Sequence, residues 1–377
     1  MPIVAIENAW DALKRDLSAR LGSVAGRDTP MIAPYRGFGT ESELWCRGRV
    51  LEDEGVMTAL HSDSLLTNLR HTLKRYETDE VPGARLTWRF AEGSEHERHG
   101  EVVTDEEGYF DIRLRPGPLP NAPWHDVHVR LREAPGYDLP ELGATCRVRV
   151  PGPNARFAVV SDIDDTIVYT GAHDFLKHWR TVVANSAQGR EGYEGLPELY
   201  RFLADDERNP FFYVSSSPWN LHDLFERYMA LNGIPLGPML LRDFGLDETK
   251  WLTGGHDGHK TAQIERLLAA YPHLSFVLVG DSGQRDPAIY ASIAESHPER
   301  VLAVVIHEVT PHEKEVAAMR ERLGGRTPHL VTDSYGAARE WIADLLPPEP
   351  SAHEPPAHER SAHETAATRR TAAPARA

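Results

Sequence analysis

In the first half of the chain, apolar and polar positions alternate in the way that half-buried β-strands require. Residues 84–91 and 126–132 each place apolar side chains on one face of a strand and polar side chains on the other. The same alternation predicts six strands, at residues 43–50, 84–91, 99–104, 109–115, 126–132 and 145–150. Leucines on one side of residues 64–77 predict a helical stretch that interrupts them. The simplest architecture for this part is a small antiparallel β-sandwich.

After residue 154 the pattern changes to short, continuous apolar runs that alternate with longer amphipathic stretches. The apolar runs predict strands at residues 156–161, 211–215, 238–241, 275–280, 301–306 and 329–332. The amphipathic stretches predict helices at residues 196–205, 219–231, 260–270, 287–295, 312–323 and 335–346. Such alternation is typical of βαβ units, so we expect a mostly parallel sheet flanked by helices.

These changes of pattern divide the chain into five predicted segments. Residues 1–22 form an amphipathic helix, because apolar residues recur there at spacings of three and four. A β-rich, sandwich-like domain follows at 23–150, and the stiff sequence Pro-Gly-Pro-Asn at 151–154 is a linker. The α/β domain occupies 155–346. From residue 347 the composition is reduced to a few small, polar and charged types, which predicts a disordered tail at 347–377.

The net charge of the 377-residue chain is −16. This acidity disfavours general nucleic-acid binding, which needs basic groups to neutralise phosphates, and strong adhesion to anionic lipid. No apolar run approaches the ~18 residues of a membrane-spanning helix, and the N-terminus lacks the basic cluster of a secretory signal. We expect a cytoplasmic protein, with peripheral membrane contact left open. Cys46 and Cys146 are expected to be reduced core thiols.

Four short polar segments in the second half follow predicted strands or open a predicted helix. They occupy residues 161–166, 215–217, 259–260 and 280–286. Polar residues just beyond the carboxyl ends of parallel strands meet at one edge of an open α/β sheet, where such folds place their active sites. We therefore expect the four segments to form a single pocket.

Asp162 and Asp164 are two positions apart where a strand ends, so both carboxylates point to the same side. One carboxylate can displace a phosphoryl group to form an aspartyl-phosphate, which water then hydrolyses. The other can protonate the leaving oxygen and later accept a proton from that water. Thr166 adds a hydroxyl at the start of the next turn. Taken alone, this segment is equally typical of a solvated turn or a helix cap.

Phosphate-binding groups are offered by the second and third segments. The hydroxyls of Ser215 and Ser216, with nearby backbone N–H groups, suit phosphate oxygens. Lys260 opens a helix and can neutralise both a nucleophile and a phosphate. Arg242 can reach a second phosphate oxygen, or serve as a helix cap or salt-bridge partner. Taken singly, a serine-rich turn and a surface lysine are the ordinary alternatives.

Asp281 and Asp286 bracket a glycine-containing turn after a valine-rich strand. Several carboxylates with room for water and phosphate suit Mg²⁺, which would orient the phosphate and offset its charge. Buried carboxylates need a partner, and a single cation would serve Asp162, Asp281 and Asp286 together. The four segments together therefore predict a Mg²⁺-dependent phosphoryl-transfer pocket.

At these residues the chain resembles the haloacid dehalogenase superfamily of Mg²⁺-dependent aspartate phosphatases. The resemblance implies an α/β fold with a Rossmann-like, mostly parallel sheet and flanking helices, preceded here by the antiparallel sandwich-like domain. It also implies that Asp162 is the nucleophile and Asp164 the general acid/base. Ser215 and Lys260 match the second and third sequence motifs of the superfamily.

The same resemblance implies the metal ligands and a cap. The Mg²⁺ would be held by the Asp162 carboxylate, the backbone carbonyl of Asp164 and the Asp281 carboxylate, with Asp286 in support. Residues 168–195, between the first and second motifs, would form a small cap over the pocket. Their apolar stripe is expected to pack on the domain body, or to touch acyl chains or a membrane surface.

Longer strings are similar to the conserved-domain phosphatidate phosphatases of the actin-patch-associated type. They are Ser-Asp-Ile-Asp-Asp-Thr-Ile (161–167), Tyr-Val-Ser-Ser-Ser-Pro-Trp (213–219), Leu-Leu-Arg-Asp (240–243), His-Lys (259–260) and Val-Gly-Asp-Ser-Gly-Gln-Arg-Asp-Pro (279–287). The likeness covers about residues 155–345 and implies release of phosphate from phosphatidate to give diacylglycerol. His307 stands where we expect an arginine in relatives, which bears on substrate contacts.

Two other functions stay open at this point. The same chemistry would serve a soluble phosphomonoester or a phosphoprotein. Alternatively, the chain is a non-catalytic lipid-sensing module whose β-rich domain recruits partners, although a sensor has no need of the second carboxylate, Asp164. The expected binding partner is a phosphorylated lipid or a small phosphomonoester. The sequence does not identify a protein partner.

Overall fold

The computed structural model describes residues 29–53, 80–137, 141–168, 193–242, 256–309 and 312–346. The chain divides into two compact units, Met1–Arg339 and Glu340–Ala377, and both sheets belong to the first unit. The predicted N-terminal helix, the helical stretch at 64–77, most of the cap insert and the predicted tail lie outside the described residues. The linker at 151–154 as a domain boundary stays a prediction.

The first sheet is almost entirely antiparallel. In the described part of the chain it contains β1 (Thr29–Pro34), β2 (Gly37–Gly39), β3 (Leu44–Asp53), β4 (Arg85–Phe90), β5 (Arg98–Val103), β6 (Tyr109–Leu114), β7 (Trp124–Glu133) and β8 (Gly143–Arg149). The strand order is β1-β3-β2-β8-β7-β4-β5, with β6 paired to β3, and the β2–β8 pair is parallel. All six strands predicted in this half are present. The first two strands, β1 and β2, were not predicted, because their proline and glycine residues obscure any alternation.

The second sheet is parallel throughout its described strands. They are β9 (Ala158–Ser161), β10 (Phe211–Pro218), β11 (Met239–Arg242), β12 (Phe276–Asp281), β13 (Val301–His307) and β14 (His329–Thr332). Their order is β11-β10-β9-β12-β13-β14. The described helices are α1 (Leu196–Ala204), α2 (His222–Leu231), α3 (His256–Ala270), α4 (Asp286–Ser296), α5 (Glu313–Leu323) and α6 (Tyr335–Leu345). The predicted mixed α/β architecture with a parallel sheet is confirmed.

The two central strands of the parallel sheet, β9 and β12, carry the first and last polar segments of the predicted pocket. Every residue of both strands is buried. A parallel strand that is covered on both faces needs a continuous apolar sequence, and that is what residues 157–160 and 276–279 provide. The register pairs Val279 with Ser161, so Asp162 and Asp281 emerge from neighbouring strands at the same edge.

The antiparallel sheet packs against the parallel one through buried aromatic groups. Phe38 of β2 belongs to the same hydrophobic core as the parallel sheet and meets Phe212 edge-on, with ring centroids 6.0 Å apart. The hydroxyl of Tyr271 donates a hydrogen bond of 3.0 Å to the carbonyl oxygen of Gly39. Cys46 and Cys146 are buried free thiols in the core of the antiparallel sheet. Among the described residues, no helix is long and apolar enough to cross a membrane.

Candidate active site

Three of the four predicted segments supply charged side chains to one buried cluster. Lys260, on α3, places its Nζ 2.9 Å from Asp162 Oδ1 and 2.7 Å from Asp286 Oδ1. One carboxylate oxygen from each of Asp162, Asp281 and Asp286 lies within 4.8 Å of the others. All four side chains are at most 4% exposed. The residues that the sequence placed in one pocket are therefore brought together.

The charge balance of this cluster favours an additional cation. Burial alone would lower the pKa of Lys260, but the Asp162 and Asp286 carboxylates more than offset it and raise that pKa. Burial raises the pKa of Asp162, which Lys260 lowers and the other carboxylates raise further. Burial and Asp286 raise the pKa of Asp281 to about 7. One lysine thus faces three carboxylates, which is a costly arrangement without another positive charge.

The donor atoms needed for a divalent cation are present. Oδ2 of Asp162 and Oδ2 of Asp281 are buried and have no hydrogen-bond partner among the described residues. Carboxylate oxygens are the ligands that Mg²⁺ prefers in proteins. The three carboxylates therefore fit a hard divalent cation. Its charge would neutralise the carboxylate oxygens that Lys260 does not contact.

The turn after β12 is shaped around Asp281. Its Oδ1 accepts hydrogen bonds from the backbone N–H groups of Gly283 (2.6 Å) and Gln284 (3.0 Å), which closes the turn. Asp286, at the start of α4, accepts a bond from the backbone N–H of Asp281 through Oδ2 (3.3 Å). Gly280 makes this approach possible, because a Cβ at that position would lie 2.4 Å from Asp286 Oδ2. The glycine is required for close packing.

Asp164 has a different environment from the buried cluster. Asp164 as a whole residue is partly exposed, whereas Asp162 and Asp281 are buried. Its Oδ2 accepts hydrogen bonds from the hydroxyls of Ser215 (2.6 Å) and Ser217 (2.8 Å). Burial raises the pKa of Asp164, and the two serine hydroxyls act against that rise. The Ser215 hydroxyl, which the sequence assigned to phosphate, thus faces the second carboxylate, and Ser217 is a partner that sequence reasoning missed.

The remaining predicted binding residues lie beyond or near the carboxyl ends of β9, β10 and β11. Thr166 is buried, and its Oγ1 has no hydrogen-bond partner in the described part of the chain. Ser216 is partly exposed near the end of β10. Arg242 ends β11, where the sheet register pairs it with Pro218 of β10. Ser216 and Arg242 therefore lie at the carboxyl edge of the parallel sheet, on the side of β10.

The turn that follows Asp162 is held by side chains from distant parts of the sequence. The carbonyl oxygen of Asp164 accepts a long hydrogen bond from Gln284 Nε2 (3.4 Å). The next carbonyl, of Asp165, accepts one from the hydroxyl of Tyr193 (2.9 Å). The carbonyl of Thr166 also accepts a hydrogen bond, from Tyr335, so three consecutive carbonyls are held by side chains. Asp165 has a φ of +57°, so the turn contains a left-handed residue that external contacts must support.

Tyr335 is the donor to the Thr166 carbonyl, at 2.6 Å. His307, at the end of β13, stacks on Tyr335 with ring centroids 4.3 Å apart and meets Tyr193 edge-on at 4.8 Å. Burial lowers the pKa of His307. The sequence offered no signal for these tyrosines, because a phenol that binds a carbonyl looks like any core aromatic. His307 is therefore a packing neighbour of the residues that support the turn.

Comparison with known proteins bears on the same half of the chain. Residues 157–308 match a family profile described as the catalytic domain of the phosphatidate phosphatase APP1. Over 166 residues the chain is 32% identical to the phosphatidate phosphatase APP1 of Saccharomyces cerevisiae, which covers 42% of this chain and 28% of that protein. Over 210 residues it is 25% identical to an uncharacterised protein of Schizosaccharomyces pombe, covering 55% of this chain and 34% of that one.

The chain thus spans about a third of the length of these curated relatives. Among solved structures, a β-glucuronidase of Bifidobacterium dentium covers 81% of this chain and 52% of its own, with a TM-score of 0.25 and 11% identity. A score this low carries no argument about fold or function. The predicted resemblance to the actin-patch-associated type of phosphatidate phosphatase is confirmed for residues 157–308.

Proposed function

We propose that this protein is a phosphoric monoester hydrolase, a Mg²⁺-dependent phosphatase that releases phosphate from phosphatidate to give diacylglycerol. In this proposal the α/β part is a haloacid dehalogenase-like domain and the antiparallel part is sandwich-like. The observation that carries the proposal is the buried cluster in which Lys260 meets Asp162 and Asp286 at 2.9 and 2.7 Å. The match of residues 157–308 to a phosphatidate phosphatase catalytic domain supports the substrate class.

Asp162 is the proposed nucleophile because its buried carboxylate lies beside Lys260 and has oxygen lone pairs that no described donor occupies. Lys260 binds Oδ1 and favours the ionised carboxylate, while Oδ2 has no hydrogen-bond partner among the described residues. One oxygen of the Asp162 carboxylate attacks phosphorus, and the bond between phosphorus and the ester oxygen breaks with its electron pair on the ester oxygen. The products of this step are an aspartyl-phosphate and the diacylglycerol oxygen, which must gain a proton.

Asp164 is the proposed proton carrier. As a whole residue it is partly exposed, whereas Asp162 is buried, so Asp164 is the better placed of the two to exchange protons with solvent. Ser215 and Ser217 hold its Oδ2 and leave the other oxygen to give a proton to the leaving diacylglycerol oxygen. The ionised Asp164 then takes a proton from the water that attacks phosphorus. This second step restores Asp162 and releases inorganic phosphate.

Asp162, Asp281 and the backbone carbonyl of Asp164 would hold the Mg²⁺, with Asp286 in support. When bound, the metal offsets negative charge on the transferring phosphate. Asp286 also fixes Lys260, so the lysine stays beside the nucleophile. Asp281 is held in its turn by two backbone N–H groups through Oδ1, which keeps Oδ2 directed at the cluster.

Thr166, Ser216 and Arg242 are the proposed contacts for the substrate phosphate. Ser216 and Arg242 lie at the carboxyl edge of the sheet, and the Thr166 hydroxyl has no partner among the described residues. A lipid substrate also implies peripheral contact with a membrane surface, which we include in the proposal. The same catalytic residues would serve a soluble phosphomonoester or a phosphoprotein, so the substrate is the part that most needs a direct test.

The test is a phosphate-release assay with phosphatidate in mixed micelles and a panel of soluble phosphomonoesters, each with Mg²⁺ and with chelator. We expect Mg²⁺-dependent release from phosphatidate by the unmodified protein and none by Asp162→Asn. Asp126→Asn, an exposed carboxylate of β7, is the matched control and should keep full activity. Much faster turnover of soluble esters would replace the lipid substrate with a soluble one. No release from any substrate would favour the sensing module.

A further inference from the structure

The antiparallel sheet contacts the segment that follows Ser215 and Ser217, the two serines that bind Asp164. A single 3₁₀ turn, Trp219–Leu221, begins directly after β10 and contains Asn220. Oδ1 of Asn220 accepts a hydrogen bond from Arg49 Nη1 (2.8 Å) and another from the hydroxyl of Tyr109 (2.9 Å). Both donors belong to the antiparallel sheet, on the neighbouring strands β3 and β6. One side-chain oxygen is thus held by two groups from the other sheet.

Arg49 is itself held rigidly. It is 6% exposed, and its guanidinium is bonded in three directions. Nε donates to the carbonyl oxygen of Glu107 (2.7 Å), Nη2 to Glu80 Oε1 (3.0 Å) and Nη1 to Asn220. A buried guanidinium that donates hydrogen bonds from all three of its nitrogens has little freedom to reorient. It therefore fixes the position of Asn220 rather than following it.

A stack of aromatic and guanidinium groups holds the neighbouring tryptophan. Tyr35, after β1, stacks on Trp219 with ring centroids 5.2 Å apart and an angle of 17°. The Arg47 guanidinium carbon lies 5.2 Å from the Trp219 ring centroid and 4.8 Å from that of Tyr109. The Arg49 guanidinium approaches the Tyr109 ring at 4.5 Å. Cation–π contacts of this kind gain strength where water is excluded, and Tyr35, Arg47 and Trp219 are all buried.

The 3₁₀ turn that contains Asn220 is close in sequence to Ser217, which binds the proposed acid/base Asp164. Only Pro218 and Trp219 separate Asn220 from Ser217, whose Oγ donates to Asp164 Oδ2 at 2.8 Å. Ser217 also donates its backbone N–H to Ser215 Oγ (2.9 Å). Proline has a fixed φ, here −72°, so this short link is stiff. A shift of Asn220 must therefore displace the serine hydroxyls.

We infer that the antiparallel sheet is a positioning element for catalysis: Arg49 and Tyr109 hold Asn220, and the stiff link from Asn220 holds Ser215 and Ser217 against Asp164. This inference rests on the proposed function for its kinetic consequence. It assigns Arg49, Tyr109 and Asn220 as positioning residues, since none of them contacts the reacting atoms. The competing explanation is that these contacts only join the two sheets.

Two substitutions at one position separate the explanations. Asn220 is exposed, so the fold tolerates replacement. Asn220→Leu has a similar size and removes the acceptor, whereas Asn220→Asp keeps an oxygen for both donors. We expect Asn220→Leu to lower kcat about tenfold and to change KM much less, because misplaced catalytic groups cost rate while Ser216 is only one of three proposed phosphate contacts. Asn220→Asp is expected to restore kcat to within about twofold of the unmodified protein.

The control removes an exposed arginine hydrogen bond elsewhere on the same sheet. Glu141 accepts a hydrogen bond from Arg130 Nη1 of β7 (2.9 Å) and is exposed. Glu141→Leu should leave kcat and KM unchanged. An equal loss of kcat in Asn220→Asp and Asn220→Leu would overturn the inference, because the acceptor oxygen would then be irrelevant. So would an Asn220→Leu variant that retains full kcat.

A second measurement does not depend on activity. In Asn220→Leu, hydrogen exchange should become at least about fivefold faster at the backbone N–H of Ser217 and in residues 214–221, while β12 (Phe276–Asp281) stays protected. If the protein releases phosphate from no substrate, the proposed function fails, but this local change would still support the positioning role. Unchanged exchange at residues 214–221, or equally faster exchange in β12, would overturn it.

Discussion

In the metal-free protein, replacing Asp281 with asparagine is expected to stabilise the fold, although the variant loses a proposed metal ligand. Asp281 is fully buried, and its Oδ1 accepts two backbone N–H groups that an asparagine Oδ1 would also accept. Its Oδ2 has no hydrogen-bond partner among the described residues. An asparagine Nδ2 in that place faces the carboxylates of Asp162 and Asp286, which accept hydrogen bonds. The substitution removes a charge and keeps the turn.

The size of the expected stabilisation follows from the pKa of Asp281. Burial and Asp286 raise the pKa of Asp281 from its ordinary value of 3.8 to about 7. The folded protein therefore holds this proton to a higher pH than the unfolded chain, and stability is lost as pH rises from about 4 to about 7. The full rise in pKa corresponds to about 4 kcal/mol of lost stability. Because relaxation of the site reduces this cost, we expect Asp281→Asn to raise the free energy of unfolding by about 2–4 kcal/mol at pH 8. At pH 5 the expected difference is only about 1–2 kcal/mol.

The assay is urea unfolding in chelator at pH 8 and pH 5, with Asp126→Asn as the control for removal of an exposed carboxylate. The control should change the free energy of unfolding by less than about 0.5 kcal/mol. Mg²⁺ at about 100 times its Kd should then stabilise the unmodified protein by about 2.7 kcal/mol and Asp281→Asn much less. The reasoning is refuted if Asp281→Asn is less stable than the unmodified protein at pH 8 in chelator, or if the difference does not change with pH.

Three further predictions concern the same site. Tyr335→Phe should lower the free energy of unfolding by about 1–3 kcal/mol and should also lower kcat. The control Tyr271→Phe removes another buried phenol–carbonyl hydrogen bond, far from the site, and should cost similar stability without changing kcat. Equal kcat in the two variants would contradict this prediction. Gly280→Ala should displace Asp286, since the new Cβ would lie 2.4 Å from its Oδ2, and abolish stabilisation by Mg²⁺ in urea unfolding; undiminished stabilisation would show that the site adapts. Lys260→Met should destabilise the protein by about 3–5 kcal/mol in chelator, because it leaves buried carboxylates unpaired; a loss below about 1 kcal/mol would count against the ion pairs.

Strands buried on both faces were predictable because burial on both faces demands an uninterrupted apolar run. The predicted strand at 275–280 differs from β12 (Phe276–Asp281) by one residue at each end, and that at 301–306 differs from β13 by one residue. Helix starts were less predictable. The helix expected from residue 260 begins at His256, and the one expected from residue 219 begins with a 3₁₀ turn before α2. Helix ends depend on local hydrogen bonds that hydrophobic periodicity does not report.

The position of the candidate site was also predictable from the sequence, because each carboxylate follows an apolar strand or opens a helix. Asp162 and Asp281 follow β9 and β12, and parallel strands end at a common edge. Once those strands are adjacent, the carboxylates must meet. The roles of these residues in catalysis stay predictions.

Only the tertiary structure decided which neutral side chains support that site. Tyr193 and Tyr335 bind consecutive carbonyls of the turn after Asp162, and Asn220 is held by two residues more than 100 positions away. A tyrosine or asparagine is compatible with many environments, so its type and spacing specify no partner. The buried strands and the polar residues at their ends are specified by local sequence. Such long-range partners are selected only when packing places one donor beside one acceptor.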